Sequence, residues 1–385
     1  MGDRYEQPIY LDYNATTPHA PEVMVVMGPF LDGHFGNPSS THRYGAVTRA
    51  AVVQARSQVA GLLNAKPDEI VFTSGGTESN NYAIRGAALA ATQRGRHIIT
   101  SQIEHPAVTE VCRQLETEGF EVTWLPVDGD GLVHVDEVEA AIRPDTILIT
   151  LMHANNEVGT IQPIQAVGEI ARGRGIIFHT DAAQSAGKIP TDVHELGVDL
   201  VTIAGHKLYA PKGIGALYIR EGIALHPLIQ GAGQEGGRRP GTENVLEIIG
   251  LGEACEVARR NLVMNMARMR ESRDELEQGL RERIADVRVN GHPERRLPNT
   301  LSISIRGVNA NEILAAIEPY VAASAGAACH SGEVQISHVL RAMGVPVDWA
   351  RGTLRLSTGR YTTREEAREA VIKIADAVRG IRHTD

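Results

Sequence analysis

The chain has 385 residues, 42% of them hydrophobic, which is more than one small core can hold, so a large domain with a smaller companion is expected. Asp and Glu outnumber Lys and Arg by 47 to 38, and the basic residues form no run or stripe, which argues against nucleic acid as a direct partner. The N-terminal stretch lacks the pattern of a secretory signal, no apolar run approaches the roughly 20 residues that span a bilayer, and Cys112, Cys255 and Cys329 show no CxxC spacing. A cytoplasmic protein without a membrane segment or a disulfide framework is expected.

From about residue 60 to about residue 220, short β-branched runs alternate with helical patterns, the signature of a largely parallel α/β sheet. The clearest strands are 70–73, 97–101, 146–151, 176–180 and 200–203, and each runs into polar residues, where open α/β sheets bind their ligands. Apolar residues from Leu251 through Met269 to Ile284 keep helical spacing, so a long helix is expected between the two domains. Beyond it, strands at 299–305 and 353–357 and helices at 311–317 and 364–379 suit a compact α+β unit. The expected division is a large domain over 16–260 and a small one made of 1–15 and 261–385.

Gly75, Gly76 and Thr77 follow the first of these strands and open a helix, where backbone N–H groups and a hydroxyl suit a phosphate, and equally an ordinary capped turn. At the next strand end, His105 suits ring stacking, proton shuttling or simple capping. Asn155 and Asn156 follow the strand 146–151, with amides that suit a phenolate or a carboxylate. Asp181, with Gln184 close behind, follows the strand 176–180, where a carboxylate can pair with a protonated pyridine nitrogen. Lys207 ends the strand 200–203, where an amine can form an imine with an aldehyde. Each residue alone has an unremarked structural explanation; their order along successive strand ends does not.

TSGGTESNN, EHPAV, HANNEVG, DAAQ, AGHKLYAPKG and RRPGTEN resemble the class V aminotransferase superfamily, in particular its NifS-like cysteine desulfurases, from LDYNATTP at Leu11 to TGRYTT at Thr358. The resemblance implies a pyridoxal 5'-phosphate-dependent transferase of fold type I, with a mainly parallel sheet flanked by helices and a smaller α+β domain. It implies that Gly76, Thr77 and His206 bind the phosphate, that His105 stacks on the ring, and that Asn156 and Gln184 touch the phenolic oxygen. Asp181 would meet the pyridine nitrogen and Lys207 would carry the cofactor. Thr242 would reach the phosphate of a neighbouring subunit, which implies a homodimer.

Cys329 lies in a run of small residues, Ser324 to Gly332, that reads as a mobile loop exposing a reactive thiolate, whereas Cys112 and Cys255 sit in helical patterns as buried hydrophobes. The resemblance makes Cys329 the persulfide cysteine and Arg355 the residue that grips the substrate carboxylate. The implied products from L-cysteine are L-alanine and a persulfide for a separate acceptor protein to unload. GAACHS around Cys329 also resembles the selenocysteine lyase branch, which leaves L-selenocysteine open as the substrate; aminotransfer and a noncatalytic sulfur-transfer scaffold are further alternatives. The 15 His residues show no HExxH or paired Cys/His spacing, so no metal site is expected.

Overall fold

The computed structural model describes residues 7–330 and 333–384, with backbone alone at 327–330, 333–335 and 384. The strands, in chain order, are β1 (Ile9–Tyr10), β2 (Ile70–Thr73), β3 (His97–Ser101), β4 (Glu121–Leu125), β5 (Thr146–Thr150), β6 (Ile177–Asp181), β7 (Leu200–Ala204), β8 (Gly215–Ile219), β9 (Val287–Asn290), β10 (Thr300–Ile305), β11 (Val321–Ala322), β12 (Ser324–Ala325), β13 (Ala327–His330), β14 (Glu333–Ile336) and β15 (Thr353–Ser357).

Seven strands form the main sheet in the order β2-β8-β7-β6-β5-β3-β4, and all but β8 run in one direction. Strands such as TILIT and LVTIA are buried at every position because helices cover both faces, which is why they read as continuous apolar runs. The five strands expected in this region are present to within a residue at each end. The sheet adds β4, an edge strand with partly exposed residues, and β8, which begins with Gly and Ala and so carries little β signal.

A second, antiparallel sheet has the order β12-β15-β10-β9, and β1 pairs in parallel with β11 beside it. Its core gathers Leu301, Ile303, Leu354, Leu356 and Ile374, and it includes Leu11 from the start of the chain. The helix Val245–Arg283 serves both cores: Leu251, Ala254, Cys255 and Ala258 join the larger one, Leu276 and Leu280 the smaller. Near its start it crosses the helix Arg43–Leu63 so closely that a Cβ on Gly252 would stand 2.6 Å from the Cα of Ala55. Cys112 and Cys255 are fully buried in helices, and burial pushes both thiols well up. No helix among the described residues is long and apolar enough to cross a membrane.

Within the segment expected to be a mobile loop, the backbone around Cys329 forms a hairpin, of which the run of small residues gives no sign. Ala327–His330 pairs antiparallel with Glu333–Ile336, Cys329 opposite Val334. The return strand, EVQI, supplies the β-branched residues that the small-residue run lacks.

Candidate active site

A cavity of about 320 Å³ opens at the carboxyl ends of the main-sheet strands, and Gly76, Thr77, His105, Asn156, Asp181, Gln184, His206, Lys207 and Arg355 all line it. Gly76 and Thr77 begin the helix Gly76–Ala90, whose first N–H groups have no helical partner and so suit an anion. Gly76 packs against Ala204: an added Cβ would stand 3.2 Å from that of Ala204, which favours glycine at this closely packed helix start. His206 lies in the same wall, held below the usual histidine range at about 4 by burial and by Lys207.

Asp181 ends β6 almost buried, accepting from Asn80 Nδ2 at 2.7 Å and from the Ala183 N–H at 2.9 Å, bonds that hold its carboxylate in place. His105 is the N-cap of the helix Pro106–Thr117, its Nδ1 accepting from the Ala107 N–H at 3.1 Å. Burial lowers its pKa, so the ring is neutral at pH 7 and the remaining proton sits on Nε2. Next to it, Glu104 is fully buried, accepting from the Ser101 hydroxyl at 2.6 Å and from the Met152 N–H at 3.0 Å. Burial pushes this carboxyl up to about 8.

Lys207 closes a single turn of 3₁₀ helix after β7, and its Nζ donates to the backbone carbonyls of Asn14 and, at 2.6 Å, Ala15. Burial first, then the Arg355 guanidinium, lowers its pKa to about 8. About a tenth of the amine is therefore neutral and nucleophilic at pH 7, where an exposed lysine would be almost wholly charged.

Arg355 comes from β15 in the second sheet and reaches the cavity from the opposite side. One guanidinium nitrogen donates to Asp12 Oδ1 at 2.8 Å and Ser324 Oγ at 3.1 Å, and another to the Asn156 carbonyl at 3.3 Å. Its Nε is buried and has no hydrogen-bond partner among the described residues. Ser324 lies opposite Arg355 in the sheet and five residues ahead of Cys329, so the hairpin carrying Cys329 is rooted beside Arg355. The Cys329 side chain lies outside the described residues. A second, open cavity of about 930 Å³ shares Arg355 and is walled by Ser324, Gly326, Ser337 and His338 at the foot of the hairpin. Thr242 is exposed and does not line the first cavity.

Three residues of the site escape a reading of the sequence. Asn14 joins the Gln184 side chain, Lys207, Thr300 and Asn299 through its backbone and side chain. Asn80 anchors Asp181 from the second turn of a helix, and the only local signal is that it lies on the inner face of TESNN. Lys188 is buried behind Gln184, where the sequence offers only GK in a turn.

A family model described as Aminotransferase class-V matches residues 9–369. The chain is similar to the Cysteine desulfurase IscS of Dictyoglomus turgidum, with 51% identity across 94% of this chain and 92% of that relative. Among solved structures it is similar to a NifS-like protein, with a TM-score of 0.91 and 37% identity over 97% of this chain and 100% of that one. It is also similar to SspA in complex with cysteine, with a TM-score of 0.81 and 40% identity over 92% and 99% of the two chains. With the strand-end constellation in place and the likeness running nearly end to end, this chain belongs to the class V aminotransferase family, on its NifS-like cysteine desulfurase branch.

Proposed function

We propose that the protein is a pyridoxal 5'-phosphate-dependent cysteine desulfurase, converting L-cysteine to L-alanine and retaining the sulfur as a persulfide on Cys329. The observation that carries this reading is the meeting of Lys207, Asp181, His105 and Arg355 on one cavity. The residues present fit the cofactor. Gly76, Thr77 and His206 would hold its phosphate, Asp181 its pyridine nitrogen, His105 one face of its ring, and Asn156 and Gln184 its phenolic oxygen. Lys207 would hold it covalently. When bound, it supplies a sink for the electrons released at the substrate Cα.

The chain's own residues do the rest. Arg355, its guanidinium held in place by Asp12 and Ser324, binds the substrate carboxylate. Lys207, its pKa lowered to about 8, takes the Cα proton near neutral pH. The Cys329 thiolate attacks the substrate sulfur; an S–S bond forms as the Cβ–S bond breaks, Cβ keeps the electron pair and takes a proton, and Lys207 returns a proton to Cα to give alanine. The persulfide passes to a thiol on an acceptor protein. Cysteine is favoured over selenocysteine because the relatives over most of the chain are named cysteine desulfurases, and a 40% identical neighbour was solved with cysteine.

A homodimer belongs to the same reading. Val25, Leu31 and Phe35 are 75%, 68% and 75% exposed on or beside helices that pack against Val245–Arg283, an apolar surface that a second copy would cover. Thr242, exposed just before that helix, would then be free to reach the neighbouring site.

The test is to incubate the purified protein with L-cysteine and a reducing thiol. Sulfide and alanine should appear in equal amounts, and Cys329→Ala should lose the sulfide while keeping the cofactor's colour. Full desulfuration by Cys329→Ala, or turnover confined to L-selenocysteine, would overturn the assignment.

A further inference from the structure

Lys188 is 5% exposed, and its hydrogen-bond acceptors are two side-chain amides: Gln184 Oε1 at 2.9 Å and Asn14 Oδ1 at 3.1 Å. Among the described residues no carboxylate bonds to it, and the charged groups facing it are Lys207 and Arg355, with His206 close by; burial drives its pKa well down. A packed apolar side chain here would be cheaper for stability, so the amine needs a reason to be there. The turn that brings it in is built for the purpose. Gly187 has φ +72°, and any Cβ there would strike Leu208 at 2.3 Å.

The reason lies in what an amine does to an amide. Charged or neutral, Lys188 Nζ has at least two N–H groups, and both meet oxygens. The end of Gln184 facing Lys188 is its carbonyl, since the other end meets the Asn14 backbone carbonyl, which can only accept. The NH₂ end is turned the other way, where one hydrogen goes to the Asn14 carbonyl at 2.9 Å and the second is left over at the cavity that Gln184 lines. The same amine fixes the side chain of Asn14, whose backbone carbonyl receives Lys207.

We propose that Lys188 is a positioning residue: it locks the Gln184 amide so that an N–H donor, and never the carbonyl, faces the cofactor's phenolic oxygen. This rests on the cofactor reading above. A donor held there stabilises the oxygen's anionic form and so lowers the pH at which the bound cofactor changes colour.

The test is a pH titration of the visible band of the purified holoenzyme. In Lys188→Met, which removes both donors, the colour-change midpoint should rise by about one pH unit, as expected when a hydrogen bond to the charged form is lost. In Lys188→Gln, which removes the charge but keeps an N–H donor, the midpoint should return to within a few tenths of the wild-type value. An unshifted Lys188→Met overturns the proposal. If Lys188→Met does not fold, Lys188→Gln decides alone, and a full upward shift in it overturns the proposal. Wild-type protein that takes up no cofactor and shows no visible band would instead refute the function proposed above.

Discussion

Among single residues, Glu104 departs far from its ordinary chemistry in a way that stability can report. Its carboxyl has a pKa of 4.5 when free and about 8 in the fold, and burial is the main cause. Between those values the folded chain holds a proton that the unfolded chain has released, so stability falls as pH rises from 4.5 to 8 and levels off above. The slope from this one group is at most about 1.4 kcal/mol per pH unit. Glu104→Gln keeps an acceptor for the Met152 N–H and removes the proton, so its denaturant-unfolding stability should decline less between pH 5 and pH 8 than that of the wild type. Identical slopes would place the titration elsewhere. This residue stands immediately before His105, and only the histidine is legible in the sequence as chemistry. What makes Glu104 unusual is complete enclosure by Ser101, Met152 and their neighbours, a property of the fold and not of EHPAV.

At the scale of elements, the helix Val245–Arg283 depends on a glycine that its own propensity would reject. Gly252 lets it lie against Ala55 of the helix Arg43–Leu63, and a side chain there would press on backbone, which cannot swing aside. Gly252→Val should cost about 1–3 kcal/mol of unfolding free energy or more, the range for overpacking a tight contact, and an unchanged midpoint in denaturant would show that the two helices can part. The sequence shows this helix plainly, through apolar residues at regular spacing, and shows equally well the buried parallel strands that carry His105, Asp181 and Lys207. It is silent on β4 and β8 because a largely half-exposed edge strand and a strand opening with Gly-Ala carry little alternation. It gives no sign of the hairpin at Cys329 for a related reason: the hairpin is held by backbone pairing, which leaves no mark in a run of small side chains.

At the scale of the molecule, the site exists only where two cores meet. Lys207 and Asp181 stand on one sheet, Arg355 on the other, and the segment Leu11–Thr17 joins them, with Leu11 in the smaller core and Asn14 against Lys207. No local pattern in LDYNATTP announces this, because its partners lie hundreds of positions away. Leu11→Ala should therefore act on both. It should cost about 2–5 kcal/mol, as a buried leucine does, and should raise KM for L-cysteine by loosening Asp12 beside Arg355. Unfolding and steady-state kinetics on the same preparation would check the pair of effects, and a loss under about 1 kcal/mol would mean that Leu11 anchors nothing.

Asp12 and Arg355, bonded at 2.8 Å, are 343 positions apart in the chain. A ribosome takes on the order of tens of seconds to cover that distance. For much of that interval Leu11 lacks the core it enters, which begins with Leu276, and the Asn14 side chain lacks Thr300 and Asn299. Completion of the site thus waits for β15, which supplies Arg355, long after the strand that leads to Lys207 has been made.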